Sequence, residues 1–368
     1  MKIAADKDSL FTLLTWHGKQ SPSGLVHISV AENGAPVVIE STSADNGWQS
    51  STLEVTDSAA GQAMFSITRV MAQKHLGKRT TEMTLEAEGN IMTSRVGRSK
   101  ASCPIVRDAP AFWRPETTPE ESLNVIAEVE ASALAWLLRT GESMRSTDPT
   151  LPTHATRLKV EEGAVKLHST DGYKMGFGEI DSLTSDGRVE HFISPSALAA
   201  PLSIMNTVET IEIIEANSHL GLRGAGSVTL RPSFAAGPPP MHELLKEAHK
   251  TLTSSDSLVI SVSDLTDALS GVGLGKNGST QIEVQEDRIV VSSASPESGT
   301  EGSTQVEVEA EVPEGSSGSA FKFNAANAIS VLKQFRTATV SLSRNQRMIV
   351  LSEPEGATPF IANISIVK

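Results

Sequence analysis

Three kinds of residue in this sequence could do chemistry: a glycine-rich segment that contains a lysine, nine histidines, and a single cysteine. The segment GVGLGKNGS (271–279) has the composition of a phosphate-binding loop, but that loop requires glycine where Ser270 stands and a hydroxyl where Asn277 stands. The histidines include no HExxH pair and have no cysteine partner, which argues against a metal site. Cys103 lies in a strand-like segment with no base beside it in sequence, which is typical of a packed thiol rather than a nucleophile. We therefore expect no catalytic residue, no bound metal and no cofactor.

Another group of residues is suited to recognition rather than catalysis. The segment LHSTDGYKMGFGEI (167–180) contains the only tyrosine of the chain, Tyr173, followed by Lys174 and Met175. The Asp-Gly pair before them predicts a turn. An aromatic ring, a cation and a flexible thioether can together contact varied peptide side chains. The alternative is that Tyr173 covers a junction between domains while Lys174 extends its ammonium group to water.

The composition limits the classes of protein to which this chain could belong. A chain of 368 residues with 39% hydrophobic and 20% charged residues is typical of a globular protein of two or three domains. One cysteine, no long apolar run and a charged N-terminus predict a cytoplasmic protein with no disulfide framework and no membrane segment. The net charge of -13 argues against a simple basic nucleic-acid binder, although a locally basic surface is compatible with it.

The elements that must position these residues recur three times along the chain. Each copy begins with a helix that contains an equivalent leucine, namely Leu10, Leu134 and Leu265. A hairpin with alternating apolar residues follows, in VHISVAENGAPVVIEST (26–42), TRLKVEEGAVKLHSTDG (156–172) and TQIEVQEDRIVVSSASP (280–296). The third hairpin has ASPESG where the second has TDGYKM, so this scaffold does not require an aromatic residue and a base there.

A second helix and a second pair of strands recur in the same order. The helices are predicted in SITRVMAQKHL, ISPSALAAPLSIM and FNAANAISVLKQF, with Thr68, Ser194 and Asn324 as N-caps. The period is the size of a small domain, and polar, proline-rich segments separate the copies. The sequence therefore predicts an α+β chain of three repeated domains, at residues 1–120, 121–250 and 251–368, each with two helices and antiparallel strands.

Several of these segments resemble one family, the bacterial replication sliding clamp, which is the beta subunit of DNA polymerase III. The resemblance is carried by TDGYKM, FISPSALAAPL, GRSKASCPIV and FKFNAANAISVLKQF. It implies three clamp-type domains that form half of a closed ring, completed by a second copy in a head-to-tail homodimer. It further implies a non-catalytic processivity factor that encircles duplex DNA and binds DNA polymerase, the clamp loader and repair proteins through short peptide motifs.

The resemblance also implies where DNA and partner peptides would bind. Residues 65–81 and 321–339 carry basic side chains and no acidic ones, although such segments are also typical of ordinary solvated helix faces. The candidate DNA-binding residues are Arg69, Lys74, Lys78, Arg79, Arg139, Arg145, Lys276, Lys333 and Arg336. The candidate peptide-binding residues are Thr170, Gly172, Tyr173, Lys174, Met175, Pro240, Leu245, Ala362, Ile364 and Ile366.

The sequence departs from the family pattern at three places. The exit from the second domain reads GPPPMHELL, the C-terminus reads FIANISIVK, and small residues stand at 101–103, where the first-domain edge would meet residues 272–274 of a second copy. These departures indicate a divergent member. Two alternatives remain: a clamp-fold interaction protein or decoy that binds clamp ligands or inhibitors without a DNA role, and an enzyme with polar residues in a cleft between domains.

Overall fold

Strands and short helices follow one another in a recurring order in the computed structural model. It describes residues 1–21, 24–42, 47–73, 80–107, 123–185, 188–205, 207–238, 242–254, 257–272, 279–293, 304–314, 316–344, 348–353 and 360–365. Among these residues, every helix is too short or too polar to traverse a lipid bilayer.

The order is a strand, a helix, four or five strands, a second helix and three strands, and it occurs three times. The first copy comprises β1 (Lys2–Asp6), α1 (Lys7–Gln20), β2 (Leu25–Val30), β3 (Val37–Thr42), β4 (Trp48–Leu53), β5 (Asp57–Ala59), β6 (Gly61–Ser66), α2 (Thr68–Met71), β7 (Glu82–Glu88), β8 (Ile91–Val96) and β9 (Ser99–Pro104). The second comprises β10 (Asn124–Glu130), α3 (Ala131–Met144), a 3₁₀ helix (Pro152–His154), β11 (Thr156–Glu161), β12 (Ala164–Thr170), β13 (Lys174–Asp181), β14 (Thr184–Ser185), β15 (Val189–Ile193), α4 (Pro195–Met205), β16 (Thr210–Ala216), β17 (His219–Gly224) and β18 (Ser227–Pro232). The third follows an additional helix, α5 (His242–Ser254), and comprises β19 (Leu258–Ser261), α6 (Val262–Gly271), β20 (Ser279–Val284), β21 (Arg288–Ser293), β22 (Thr304–Glu311), β23 (Ala320–Asn324), α7 (Ala325–Leu332), β24 (Thr339–Arg344), β25 (Met348–Ser352) and β26 (Phe360–Ser365).

These elements form two compact units. One contains Met1–Ala131 and Ala197–Ser233, and the other contains Ser132–Ser196 and Phe234–Lys368. The division into three domains at residues 120 and 250 stays a prediction.

The predicted hairpins are confirmed, and their registers are equivalent. Ile28 lies opposite Ile39 in the first hairpin, Leu158 opposite Leu167 in the second, and Ile282 opposite Val291 in the third. All six side chains are buried, as are the predicted helix leucines Leu10, Leu134 and Leu265. The alternation of apolar residues therefore directs one face of each hairpin into a core beneath the first helix of its copy.

The first unit contains two antiparallel sheets. One has the strand order β5-β1-β7-β8-β9, and in the other β10-β16-β17-β18-β4-β3-β2-β6 follow one another. The second sheet joins two copies of the repeat, because β18 pairs with β4, with Leu230 opposite Trp48. A small core of Trp48, Leu123, Ile214, Ala216 and Leu230 lies at this junction.

The second unit contains one long antiparallel sheet. Its strand order is β15-β11-β12-β13-β26-β25-β24-β19-β22-β21-β20-β23. It also joins two copies of the repeat, because β13 pairs with β26 from Lys174 opposite Ile364 to Gly178 opposite Phe360. In the part of the chain that the structure describes, each unit therefore contains one backbone junction between successive copies.

Of the three predicted N-caps, Asn324 is confirmed and Thr68 is wrong. The Asn324 side chain accepts a hydrogen bond from the amide of Asn327. The helix that was to be capped by Thr68 instead begins at that residue, after Ile67, which has helical backbone angles and supplies no side-chain cap. Ile67 is buried in the core, so packing rather than capping determines where this helix begins. For α4, which begins at Pro195 after Ser194, the first-turn amide of Ser196 donates to Glu142 of α3 at 3.1 Å.

A buried histidine links α1 to the junction between copies in the first unit. His17 Nδ1 lies 2.8 Å from Ser41 Oγ and Nε2 lies 3.1 Å from Ser51 Oγ, and Ser51 Oγ lies 2.9 Å from Ser227 Oγ on β18. Burial lowers the pKa of His17 from 6.5 to about 3. The imidazole is therefore neutral in the folded protein and ionises in the unfolded chain below pH 6.5.

This difference predicts an acid-dependent loss of stability. The pKa of His17 is depressed in the folded protein. Its contribution to the free energy of unfolding is therefore complete above pH 6.5 and declines as the pH falls toward 3. Between pH 6.5 and 5 the wild-type protein should lose about 2 kcal/mol more than a His17→Gln variant, at about 1.4 kcal/mol per pH unit. Urea unfolding at pH 7.5, 6 and 5 measures how the difference in unfolding free energy between the two proteins changes with pH. Parallel pH profiles for the two proteins would contradict it.

Candidate functional site

The turn at residues 170–175 is held rigidly by its own side chains. Asp171 Oδ1 accepts hydrogen bonds from the amides of Tyr173 at 2.8 Å and Lys174 at 2.9 Å. Thr170 Oγ1 donates to the carbonyl of Lys174 and accepts from the amide of Gly172. Gly172 has φ of +95°, a conformation that a residue with a Cβ adopts only with strain. The turn therefore presents Tyr173 in a fixed backbone geometry.

Tyr173 and Lys174 have different environments although they are adjacent. The Tyr173 side chain is 70% exposed, more than the other exposed large hydrophobic residues of the described chain. Lys174 Nζ donates to Ser330 Oγ of α7 at 2.8 Å and lies 3.9 Å from Asp171 Oδ2. Burial lowers the pKa of Lys174, and the charge of Asp171 opposes that shift. Tyr173 is thus available to a partner, whereas Lys174 is engaged beneath the turn.

The pairing of β13 with β26 divides the predicted peptide-binding residues between two faces of the sheet. Lys174 lies opposite Ile364, and Gly176 lies opposite Ala362, on the face toward α3 and α7. On the same face, the Phe360 ring contacts Trp136 at 6.0 Å and Phe335 at 4.8 Å between ring centroids. Ala362 and Ile364 are buried there, at 0% and 1% exposure.

The opposite face carries the other described members of the predicted set. Thr170 lies opposite Met175, and Met175 lies opposite Asn363. Two residues further along, Phe177 lies opposite Ile361, and the Phe177 ring contacts His168 at 5.1 Å between centroids. Burial, with the charges of Lys159 and Arg157, lowers the pKa of His168 to about 4. Thr170 and Met175 therefore adjoin an apolar strip with a neutral imidazole.

Leu245 of α5 lies on the same face of the sheet as Met175. It packs, half-buried, against a cluster of Ala248, Met348, Val350 and Ile361. Two further predicted peptide-binding residues, Pro240 and Ile366, lie outside the described residues.

The described residues of the candidate DNA-binding set differ in exposure and in the contacts that their side chains make. Arg69, Arg139, Lys333 and Arg336 are exposed. Arg69 donates to the carbonyl of Ser102 at 3.3 Å, and the Arg336 guanidinium lies 5.5 Å from the Trp136 ring centroid. Lys74, Lys78, Arg79 and Lys276 lie outside the described residues.

Arg145 is held by an internal ion pair. Its guanidinium makes two hydrogen bonds to Glu142, at 2.8 Å and 2.5 Å, and its side chain is only 10% exposed. Burial would raise the pKa of Glu142, but the hydrogen bonds and charge of Arg145 lower it, together with the hydrogen bond from Ser196. Since Glu142 also accepts the amide of Ser196, Arg145 supports the start of α4 through Glu142.

Of the residues considered for chemistry, those of the glycine-rich segment at 273–278 lie outside the described residues. Among the described residues, His, Cys, Asp and Glu form no group of three or more that could hold a metal ion. Cys103 is buried on β9, and burial raises the pKa of its thiol while the charge of Arg69 opposes that shift. A protonated, packed thiol is a poor nucleophile.

Comparison with known proteins identifies the fold. The sequence matches no protein-family model and no curated protein. The solved structure of the DNA polymerase sliding clamp from Pseudomonas aeruginosa is similar with a TM-score of 0.84 at 13% identity, over 100% of this chain and 99% of that chain. This chain has the sliding-clamp fold. The sliding clamp from Bacillus subtilis has a TM-score of 0.84 at 16% identity, and the DNA polymerase III beta subunit from Thermotoga maritima has 0.82 at 16%, each over 100% of this chain and 99% of that chain.

Within this clamp fold, sequence reasoning missed three residues on the face that carries Met175. They are Met348, Val350 and Ile361. The alternation in FIANISIVK indicates a strand, but it does not determine which alternate residues face α5. The pairing of Phe177 with Ile361 supplies that register.

The burial of Ile364 predicts a structural rather than a purely local effect of substituting it. Ile364→Ala should destabilise the fold by about 2 to 5 kcal/mol, and Ile364→Val by about 0.5 to 1.5 kcal/mol, because both leave a cavity beneath the sheet. Tyr173→Ala, at an exposed site of the same predicted set, should change stability by less than about 0.5 kcal/mol. Urea unfolding compares the three variants. Equal stability of Ile364→Ala and Tyr173→Ala would contradict the assigned face.

Proposed function

We propose that this protein is a divergent DNA sliding clamp. Two copies join head to tail into a ring that encircles duplex DNA without sequence preference, and the ring tethers a replicative polymerase for processive synthesis. The protein is non-catalytic in this role. Support comes from the similarity to sliding clamps over the whole chain and from the threefold recurrence of the elements.

The observation that carries this proposal is a strand pairing that two copies of the repeat make and that the described residues of the first copy do not. The last strands of the second and third copies, β18 and β26, pair with β4 and β13 of the preceding copies. The last strand of the first copy, β9, is at the edge of its sheet. The partner expected from the sequence is residues 272–274, but Val272 is the buried end of α6 and residues 273–274 lie outside the described residues. The equivalent of β4 and β13 is β22, which pairs with β21 over residues 304–309 and with β19 only at Ala310 and Glu311. Pairing β9 of one copy with β22 of another completes the series.

The registers of β18 on β4 and of β26 on β13 predict the register of β9 on β22 of a second copy. In each copy, residues that lie opposite one another on neighbouring strands form a ladder across the sheet. The ladders that begin at the equivalent buried residues Ile28 and Leu158 are Ile28–Ile39–Ser51–Ser227 and Leu158–Leu167–Gly178–Phe360. The third ladder is Ile282–Val291–Val306 and lacks its fourth member.

The residue that would lie opposite Val306 follows from comparing the last three strands of each copy, β7–β9, β16–β18 and β24–β26. Their equivalent ladders are Leu85–Ser94–Ala101, Ile213–Leu222–Thr229 and Leu342–Leu351–Ala362. Ser99 of β9 therefore corresponds to Ser227 and Phe360, which predicts Ser99 opposite Val306 of the second copy. In the same register Ala101 lies opposite Thr304, and Lys100 lies opposite Gln305.

The side chains near this predicted junction have complementary charge. Arg98 would lie opposite Glu307, and Lys100 would lie diagonally across from it. Such pairs contribute more to the choice and orientation of a partner than to affinity. Small residues at 101–103 bury little apolar area, so we expect a dimer that dissociates more readily than one with larger residues there.

Charge reversal tests this edge. The double substitution Arg98→Glu and Lys100→Glu should weaken dimerisation by at least about tenfold, and adding Glu307→Lys should restore part of it. A matched control, Lys19→Glu with Lys246→Glu, changes the net charge equally at exposed positions away from the edge. Analytical ultracentrifugation at micromolar concentration measures the equilibrium. A stable wild-type monomer would favour a clamp-fold interaction protein or decoy without a DNA role.

The exposed basic residues of the predicted set are the proposed DNA contacts. They are Arg69, Arg139, Lys333 and Arg336. Lys74, Lys78, Arg79 and Lys276 belong to the same proposal, whereas Arg145 is held in an ion pair with Glu142. A ring retained by topology requires only weak phosphate contacts, so a net charge of -13 is compatible with the proposal.

DNA retention tests the topological part. Loaded onto nicked circular DNA by a matching loader, the protein should remain bound and should leave after linearisation. Lys333→Ala and Arg336→Ala should each reduce the slope of log K against log salt by about 0.9, while Arg145→Ala should leave it unchanged. Retention on linear DNA with open ends would contradict encirclement, and an equal loss of slope in Arg145→Ala would contradict the assigned contacts.

Partner proteins would bind at the turn and the apolar strip beside it. The proposed contacts are Thr170, Gly172, Tyr173 and Met175, with Leu245 and Pro240 at the exit from the second copy. Lys174, Ala362, Ile364 and Ile366 complete the predicted set, with Lys174, Ala362 and Ile364 acting from beneath the sheet. An exposed aromatic ring beside an apolar strip suits a short extended peptide, the kind of segment through which polymerase, clamp loader and repair proteins would attach.

A further inference from the structure

Helix α5 has an apolar stripe and a charged outer face. In HELLKEAHKTLTS, Leu245, Ala248 and Leu252 recur at the spacing of one helix face. Glu243 and Lys246 are exposed and form a 3.0 Å ion pair along the outer surface. This pattern is typical of a helix that packs on a surface by one side.

The stripe packs on the sheet face beside the turn at residues 170–175. Ala248, Met348, Val350 and Ile361 form a cluster of buried residues, with Leu245 and Leu252 packed against it. Helix α5 lies along β24 and β25, and the cluster beneath it extends from Met348 and Val350 of β25 to Ile361 of β26.

The packing of α5 is shallow compared with that of other helices in the same unit. Ala248 is fully buried, but the two leucines of its stripe are only half-buried, and Leu244 is 36% exposed. By contrast, α3 buries Leu134, Leu137 and Leu138, and α6 buries Leu265 and Leu269. A helix whose only fully buried member of its apolar stripe is an alanine separates from its surface at a lower free energy than one anchored by several buried leucines.

The surface beneath α5 is continuous with the candidate peptide site. Ile361 lies opposite Phe177, and Phe177 is two residues from Met175 on the same face of β13. If α5 moved away, the apolar strip would extend from Met175 through Phe177 and Ile361 to Val350. This longer strip could accept an extended peptide with several apolar side chains.

We propose that α5 is a lid over the β25–β26 face and that a short extended peptide with apolar side chains displaces it. The closed lid lowers the affinity for every peptide that needs the covered strip, because part of the binding free energy is used to open it. The peptide part of this inference rests on the proposed function, whereas the opening of α5 does not.

Thiol labelling tests the opening of α5 without any partner. In a Cys103→Ser background, Val350→Cys places a thiol under α5. Val340→Cys is the matched control, because Val340 is equally buried at 0% exposure but lies on the opposite face, one strand away. A chromogenic disulfide reagent should modify the thiol introduced by Val350→Cys at least about tenfold faster, and an added Ala248→Glu should accelerate that reaction only. Equal rates at the two positions would overturn the proposal.

Adding a fluorescent peptide that carries a clamp-binding motif tests displacement. Saturating peptide should accelerate labelling of the thiol introduced by Val350→Cys, and Ala248→Glu should increase peptide affinity. Peptide that binds without changing the labelling rate would overturn displacement. If no variant binds peptide while the Val350→Cys thiol still reacts rapidly, the lid stands and the proposed peptide-binding function fails.

Discussion

Antiparallel backbone pairing between successive copies of the repeat is the interaction on which the rest of this structure depends. In each compact unit one such junction extends a sheet across two copies, at β18 with β4 and at β13 with β26. The junctions fix the register of every strand beyond them, because a slip by one residue would turn each apolar side chain to the other face. Among the described residues the same kind of pairing is left open at β9 and along residues 304–309, and the proposed assembly with a second copy depends on that edge.

Much of this fold could be predicted from local sequence patterns. The alternation around Ile28, Leu158 and Ile282 predicts three hairpins, and their common register follows from burial of those residues. The cap at Asn324 was predictable because its side chain acts within its own turn. The failure at Thr68 has a different cause, since burial of Ile67 sets that helix boundary. Long-range packing is not visible in the local pattern.

The candidate site was less predictable for the same reason. The tightly bonded turn and the exposed Tyr173 follow from the Asp-Gly sequence, but the face occupied by the C-terminal strand depends on its pairing with β13. That pairing turns Ile361 toward α5 and Ile364 toward α7, although both belong to the same apolar run. The ion pair of Arg145, directly after α3, with Glu142 was not predictable either, because the sequence allows several other partners for that guanidinium.

The most direct test of the central claim is a disulfide across the predicted junction between copies. The amide of Ile105, directly after β9, donates to the carbonyl of Asn90 on the β8 side. Backbone groups alternate in direction along a strand, so those of Lys100 and Ser102 point to the opposite, open edge. Ala101 and Thr304 then form a non-hydrogen-bonded pair, whose Cα atoms lie about 4.5 Å apart. In a Cys103→Ser background, Ala101→Cys with Thr304→Cys should oxidise to a covalent dimer that stays on circular DNA in high salt. Ala101→Cys with Gln305→Cys, on opposite faces, should not. Equal cross-linking in both, or in neither, would contradict the account.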